Sequence, residues 1–331
     1  MPAISPSQLV TALLDAIEAS SHSGALLSPV RQHPRKFAIA TPDDQSVSVW
    51  VYAWTLTHGG RPSLSNEYRI QMTTVSSPLA MNPNGYTCLL GYEPDLQMFA
   101  GFDLSRHQAF TIGSPSVQID IRTVRKALQD GLAFDRKSNQ EIAIGIRPDQ
   151  LMTYVANATA MHRYGGALQT YNLLERASSM EDIPDDELSE LTKPRQRIVQ
   201  TVRRLARSAN FRQQVMHAYG HRCAVTRMQL RLVDAAHILP VGSPGSIDTV
   251  RNGLALSPTY HRAYDNGLIY LDDSLTMKIN PAKEAQLAAL KLDGGIVGFK
   301  SSLGKIHLPP DKTQWPNKAF IKKANGFRLI A

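Results

Sequence analysis

The chain has 331 residues, 43% hydrophobic and 19% charged, with a formal net charge of +8 and a pI near 9.5. This composition suits a globular protein of about two domains and favours a polyanionic partner. It argues against a membrane span, since no apolar run approaches the ~20 residues a bilayer needs. It also argues against a secretory signal, because Met1 to Ser20 carries Asp15 and Glu18 and lacks a basic start. Two cysteines, Cys88 and Cys223, make no disulfide framework, so the cytoplasm is the expected compartment.

In chain order, Ser5-Pro6 predicts a helix start, and Leu9, Leu13 and Ile17 keep helical spacing behind it. Ser46 to Leu56 alternates as a strand, with Val47, Val49, Val51 and Ala53 on one side and Trp50, Tyr52 and Trp54 on the other. Glu67 to Thr74, Gly85 to Gly91 and Gln97 to Phe102 read as further strands. A helix is expected over Ile121 to Gly131, burying Ile121, Val124 and Leu128. A buried strand, Glu141 to Ile146, precedes a helix opening at Pro148. Residues 1–170 are therefore expected to form an α+β domain on a curved, mainly antiparallel sheet with helices. Within it Trp50, Tyr52 and Trp54 are candidates for a stacking surface. Arg69, Gln71, Arg106 and His107 are candidates for phosphate or base-edge contacts. The competing reading puts the aromatics in the core and the arginines in solvent.

Charge then separates along the chain. Glu175 to Glu190 holds seven acids and one arginine, whereas Lys193 to Val233 holds ten Lys or Arg residues and no acid. The acidic stretch, 171–194, is expected to be an interdomain linker, and the basic block a phosphate-tracking surface. Inside that block Gln196 to Ser208 predicts a helix. Its Ile198, Val202 and Leu205 would point inward and its Arg197, Arg203, Arg204 and Arg207 outward. Phe211 to Tyr219 predicts a second helix stopped by Gly220, followed by a hairpin around Cys223 to Leu230.

The stretch from Leu230 to Gly267 carries the chemistry. Leu230 to Ile238 reads as a strand with Val233, Ala235 and His237 on one face and Leu232, Asp234 and Ala236 on the other. A loop containing Pro240, Gly242, Pro244 and Gly245 leads to Asn252-Gly253-Leu254, and then to a segment with His261, Tyr264 and Asp265. His261 and Asp265 are four residues apart, so on a helix they point the same way. An imidazole on a strand, facing an imidazole and a carboxylate on a helix, can converge on one divalent ion and one water.

These residues resemble the HNH nucleases, the ββα-metal fold. That family places a histidine at the end of its first strand, an asparagine in the loop and a histidine nine residues further on. The matching residues are His237, Asn252 and His261. The resemblance covers roughly residues 195 to 280, and is nearest to a branch read from Cys223 to Thr226, Ala235 to Ile238, Asn252 to Leu254 and His261 to Leu268. McrA-type restriction enzymes, which cut modified DNA, belong near this branch. The resemblance implies a ββα-metal nuclease domain over 195–331, with His237 as general base and His261 and Asp265 holding Mg²⁺ or Mn²⁺. Asp234 is a further metal candidate, although an ideal strand points it away from His237. Asn252 is expected to fix the loop and orient His237, and Arg262 is a candidate phosphate contact. Two departures stand out: Ala236 occupies the place of a common metal ligand, and the cysteine count argues against structural zinc. The N-terminal domain distantly resembles the sensor domains of restriction enzymes, including SRA-like readers.

Taken together, these expectations describe a metal-dependent endonuclease acting on double-stranded DNA, a restriction enzyme triggered by modified DNA. A homodimer is compatible with cutting two strands using one site per chain. The alternatives are a sequence-specific or signal-activated defence nuclease, or a DNA-binding regulator with a degenerate HNH domain.

Overall fold

The structure, a computed structural model, describes residues 3–41, 45–111, 113 and 115–328. The chain divides into two units, Met1–Ala206 and Arg207–Ala331.

The first unit opens with helix α1 (Pro6–Ala19). The Ser5 side chain accepts the Gln8 N–H while the Gln8 side chain accepts the Ser5 N–H, so two orphan donors of the first turn are satisfied together. The strands that follow are β1 (Ser23–Leu26), β2 (Arg35–Ala40), β3 (Ser46–Thr55), β4 (Thr57–His58), β5 (Glu67–Gln71), β6 (Gly85–Glu93) and β7 (Met98–Phe102). A short helix α2 (Leu104–His107), strand β8 (Ser116–Asp120), helix α3 (Ile121–Asp130) and strands β9 (Leu132–Arg136) and β10 (Ile142–Ile146) complete the sheets. Seven strands pair in the order β1-β2-β3-β6-β7-β10-β9, and β4-β5-β8 form a second sheet. Among the described residues of the large sheet only the β3–β6 pairing is parallel, so the expected mainly antiparallel α+β architecture is what the chain adopts.

Alternation in β3 works on both faces of the large sheet. Val49, Val51 and Ala53 enter a core shared with Leu9, Leu13 and Ile17 of α1, and Tyr52 enters a second core with Ile70, Phe102 and Val124. Covered on both sides, β7 and β10 are buried at every residue, as central strands of such layers must be. In α3 the buried positions are Ile121, Val124 and Ala127, and Leu128 is 43% exposed, so the inward stripe lies one residue from its expected place.

Beyond β10 come α4 (Leu151–Gly165), α5 (Leu168–Ser178) and α6 (Asp185–Ser189). The stretch expected as a linker is thus folded into the first unit. Leu173, Leu174, Ala177, Ile183, Leu188 and Leu191 join its core, while Glu181, Asp182, Asp185, Asp186 and Glu190 are exposed. Helix α7 (Lys193–Ala218) runs unbroken where two helices were expected, because Ser208, Ala209 and Asn210 include no proline or glycine to stop backbone pairing. The division between units therefore falls near residue 206, later than the expected one.

Two buried polar arrangements tighten the first unit. Glu141 is 5% exposed and meets His107 at 2.7 Å and Lys137 at 3.3 Å. Burial pushes its carboxyl up, but these partners outweigh that and hold it at about 2. His162 is buried between the Tyr154 hydroxyl, 2.9 Å from Nε2, and the Ile142 carbonyl, 3.0 Å from Nδ1. This fits a neutral ring that donates from Nδ1 and accepts at Nε2.

In the second unit Asp234–His237 form strand β11, Gly253–Leu256 strand β12 and Pro258–Asp265 helix α8. Strands β13 (Ile269–Leu271) and β14 (Met277–Ile279) and helices α9 (Pro281–Ala289), α10 (Ile296–Ser301) and α11 (Lys318–Phe327) follow. The expected hairpin around Cys223 to Leu230 is a turn, and β11 begins only at Asp234. Arg227, Leu230 and Arg231 sit at positive φ and interrupt extended pairing. Gly253 lies against α7, and a Cβ there would come within 2.3 Å of Val215 and 3.2 Å of the Phe211 ring.

Two outcomes follow from this packing. Gly253→Ala should destabilise the second unit by about 1–3 kcal/mol through overpacking, measured by urea unfolding of the full chain. The imidazole of His162 is lowered by burial from 6.5 to about 4. Its contribution to stability is complete above 6.5 and is lost as pH falls towards 4. The thermal midpoint of the first unit should fall over that window, and His162→Gln should flatten the fall relative to the wild type.

Candidate active site

Strands β11 and β12 pair antiparallel with Asp234 opposite Leu256 and His237 opposite Gly253. Ala236 is fully buried, whereas Asp234 and His237 remain partly open at the two ends. Helix α8 starts with Pro258 in its first turn and carries His261 and Asp265 one turn apart.

The helix presents His261 between two acids. Its Nε2 is 3.3 Å from an oxygen of Asp265, and its Nδ1 is 3.9 Å from an oxygen of Asp234. Asp234 also faces Arg212 of α7 at 3.8 Å. These charges pull on one another. Asp234, assisted by Asp265, holds His261 above its ordinary range, and His261, assisted by Arg212, holds Asp234 below its own. Asp234, a metal candidate expected to point away from His237, thus stands beside the helix histidine. The donor set, one imidazole and two carboxylates, is nitrogen and oxygen of the kind that suits Mg²⁺ or Mn²⁺. His261 turns a different ring nitrogen to each acid. Among the described residues, no three such groups already gather around one point.

His237 has a separate setting at the far end of β11. Its ring stacks on Phe211 of α7, with centroids 3.8 Å apart and planes 14° apart. Its Nε2 lies 3.0 Å from an oxygen of Asp248. Contacts within 4 Å tie His237 to Asp248, and tie His261 to Asp234 and Asp265, without joining the two groups. Among the described residues, the expected convergence of His237 with His261 and Asp265 is thus replaced by two separate clusters.

Asn252 is fully buried and closes the intervening loop. Its Oδ1 accepts the Leu239 N–H at 2.9 Å, and its Nδ2 is within reach of the Leu239 carbonyl at 3.2 Å, the Ile247 carbonyl at 3.1 Å and the Ser246 hydroxyl at 3.3 Å. The Ile238 N–H donates to the Asn252 carbonyl at 2.8 Å, fixing the residue after His237 as well. Cys223 is fully buried near the start of this unit.

The arginines expected to meet DNA differ in their settings. Arg204, Arg207 and Arg262 are exposed. Arg203 is not free: it is half-buried and paired with Asp182 at 3.0 Å, because that acid belongs to the folded segment once expected to be a linker. In the first unit Arg69 is half-buried on β5. Trp54 stacks on His33 with centroids 4.4 Å apart and donates its indole N–H to the Thr73 carbonyl at 3.3 Å. One face of its ring is therefore already occupied. Sequence reasoning missed Arg212, Asp248 and Phe211. Arg212 and Phe211 come from a helix whose continuity was not foreseen, and Asp248 lies in a loop whose closure no spacing rule encodes.

Comparison with known proteins places these observations. Residues 223–272, which include β11, Asn252 and α8, match the HNH endonuclease family. Residues 47–155 match a domain described as Methylase-associated X1. No curated protein matches the chain. Among solved structures, a "Modification dependent TagI restriction endonuclease" is 14% identical, with 89% of this chain and 85% of that chain covered and a TM-score of 0.31, a likeness too distant to argue from. The segment of the second unit that matches an HNH endonuclease is the one that holds β11, Asn252 and α8.

Proposed function

We propose that this protein is a divalent-metal-dependent endonuclease hydrolysing phosphodiester bonds in double-stranded DNA, a restriction enzyme triggered by modified DNA. The observation that carries this reading is His261 of α8 standing between Asp265 of the same helix and Asp234 of β11, with His237 at the other end of that strand.

Phosphodiester hydrolysis needs an activated water and neutralisation of charge at the phosphate. His261, with Asp234 and Asp265, would hold a divalent ion, which would supply the neutralisation. His237 takes the proton of the attacking water. Stacked on Phe211, the ring keeps one orientation. Asn252 acts behind it by fixing the loop and does not touch substrate. Arg204, Arg207 and Arg262 are exposed and track the DNA backbone.

An HNH domain with little sequence preference needs a separate reader, and the first unit is assigned that role. The mark it reads is a modification of the DNA, and its match to a domain described as Methylase-associated X1 covers residues 47–155 of this unit. Arg69 and Trp54 are the proposed contacts with DNA there. Two copies of the chain would allow one cut in each strand. A second reading, a DNA-binding regulator with a degenerate nuclease domain, is favoured by one observation: Ala236, in the place of a common ligand, is fully buried in the core.

A plasmid assay separates these readings. The wild type should cut in Mg²⁺ or Mn²⁺ and stop in EDTA, and His237→Ala should lower the rate by about 10²- to 10⁴-fold. Undiminished cutting by the variant would remove His237 as the base. Parallel substrates, unmodified, methylated, hydroxymethylated and phosphorothioated, should show cutting of a modified form only. Equal cutting of all four would contradict the trigger, and no cutting of any would favour the regulator.

A further inference from the structure

The loop between β11 and β12 holds an acid that the HNH pattern does not contain. Asp248 places Oδ1 3.0 Å from Nε2 of His237. The Asp248 side chain is 38% exposed and that of His237 only 17%. No hydrogen-bond partner is seen for Nδ1 of His237 among the described residues. The acid reaches the ring because the loop is closed behind it. Asn252 bonds to Leu239, Ser246 and Ile247, and the Ser246 hydroxyl donates to the Leu239 carbonyl at 3.0 Å. Asp248 follows Ile247 directly, so the anchor of the loop also sets the position of the acid.

We infer that Asp248 is a positioning residue that selects the tautomer of His237. An ionised carboxylate only accepts hydrogen bonds, so its contact requires the proton of a neutral imidazole to sit on Nε2. That leaves the lone pair on Nδ1. Phe211 stacked on one face prevents the ring from swinging away. In the reaction a water proton passes to Nδ1 and the O–H electron pair forms the new P–O bond. The departing deoxyribose oxygen keeps the electron pair of the P–O bond that breaks. The imidazolium formed faces the Asp248 carboxylate, which stabilises it. A third group orienting a general base is the logic of hydrolytic triads, reached here through a loop.

This inference rests on the reading of His237 as the base, and the test keeps the two apart. In the full chain, Asp248→Asn should lower kcat about 10- to 100-fold with KM for plasmid DNA unchanged, because the amide can pair with either tautomer. Asp248→Glu should recover part of the loss. Nitrogen-15 NMR of histidine-labelled protein at alkaline pH, without DNA, should show His237 protonated at Nε2 in the wild type and mixed in Asp248→Asn. An Nδ1-protonated ring in the wild type, or full kcat in Asp248→Asn beside an inactive His237→Ala, would overturn the role of Asp248 and leave the base in place. Full activity in His237→Ala would instead overturn the base assignment itself.

Discussion

One buried amide holds the catalytic half of this molecule together. Asn252 has no contact with solvent, and its side chain satisfies backbone groups of Leu239 and Ile247 that would otherwise be stranded in an eleven-residue excursion from 238 to 248. Each such group left unpaired costs about 1–3 kcal/mol. The loop therefore has one well-determined closure, which fixes where β11 ends, where His237 points and which residue meets its ring. Gly253 beside it extends the constraint to α7, whose Val215 and Phe211 leave no room for a Cβ. The asparagine and the glycine act on one local problem, the seating of a short hairpin against a long helix.

The chemistry is distributed over three elements as a result. Strand β11 brings Asp234 and His237, helix α8 brings His261 and Asp265, and α7 brings Phe211 and Arg212. At one end of the strand the carboxylates of Asp234 and Asp265 face the His261 imidazole, with Arg212 beside Asp234. At the other end an aromatic face and an acid restrain a single imidazole. In the proposed reaction one end manages charge and the other manages the proton.

Much of this was legible in the residues, and the parts that were not share a physical cause. Val49, Val51 and Tyr52 declared both faces of β3 because side-chain direction in a strand has a period of two. His237, Asn252 and His261 declared the nuclease domain because their spacing is tied to one hairpin and one helix. The contact of Asp234 was not legible, because the strand rule concerns only its relation to His237, whereas its neighbour is a histidine 27 residues later. The acidic stretch misled because charge density hid the helical spacing of Leu173, Leu174, Ala177 and Leu188. Arg203 fell with it, since its partner Asp182 lies in that stretch. Asp248 gave no sign at all, because a loop contact has no period.

The central claim is that Asp234, His261 and Asp265 act together as the seat of one divalent ion. Isothermal titration of Mn²⁺ into the full chain tests it most directly, compared with His261→Ala and Asp234→Ala. One ion should bind per chain, with affinity lost in His261→Ala and weakened in Asp234→Ala. Unchanged binding in both variants would place the ion elsewhere and contradict the account.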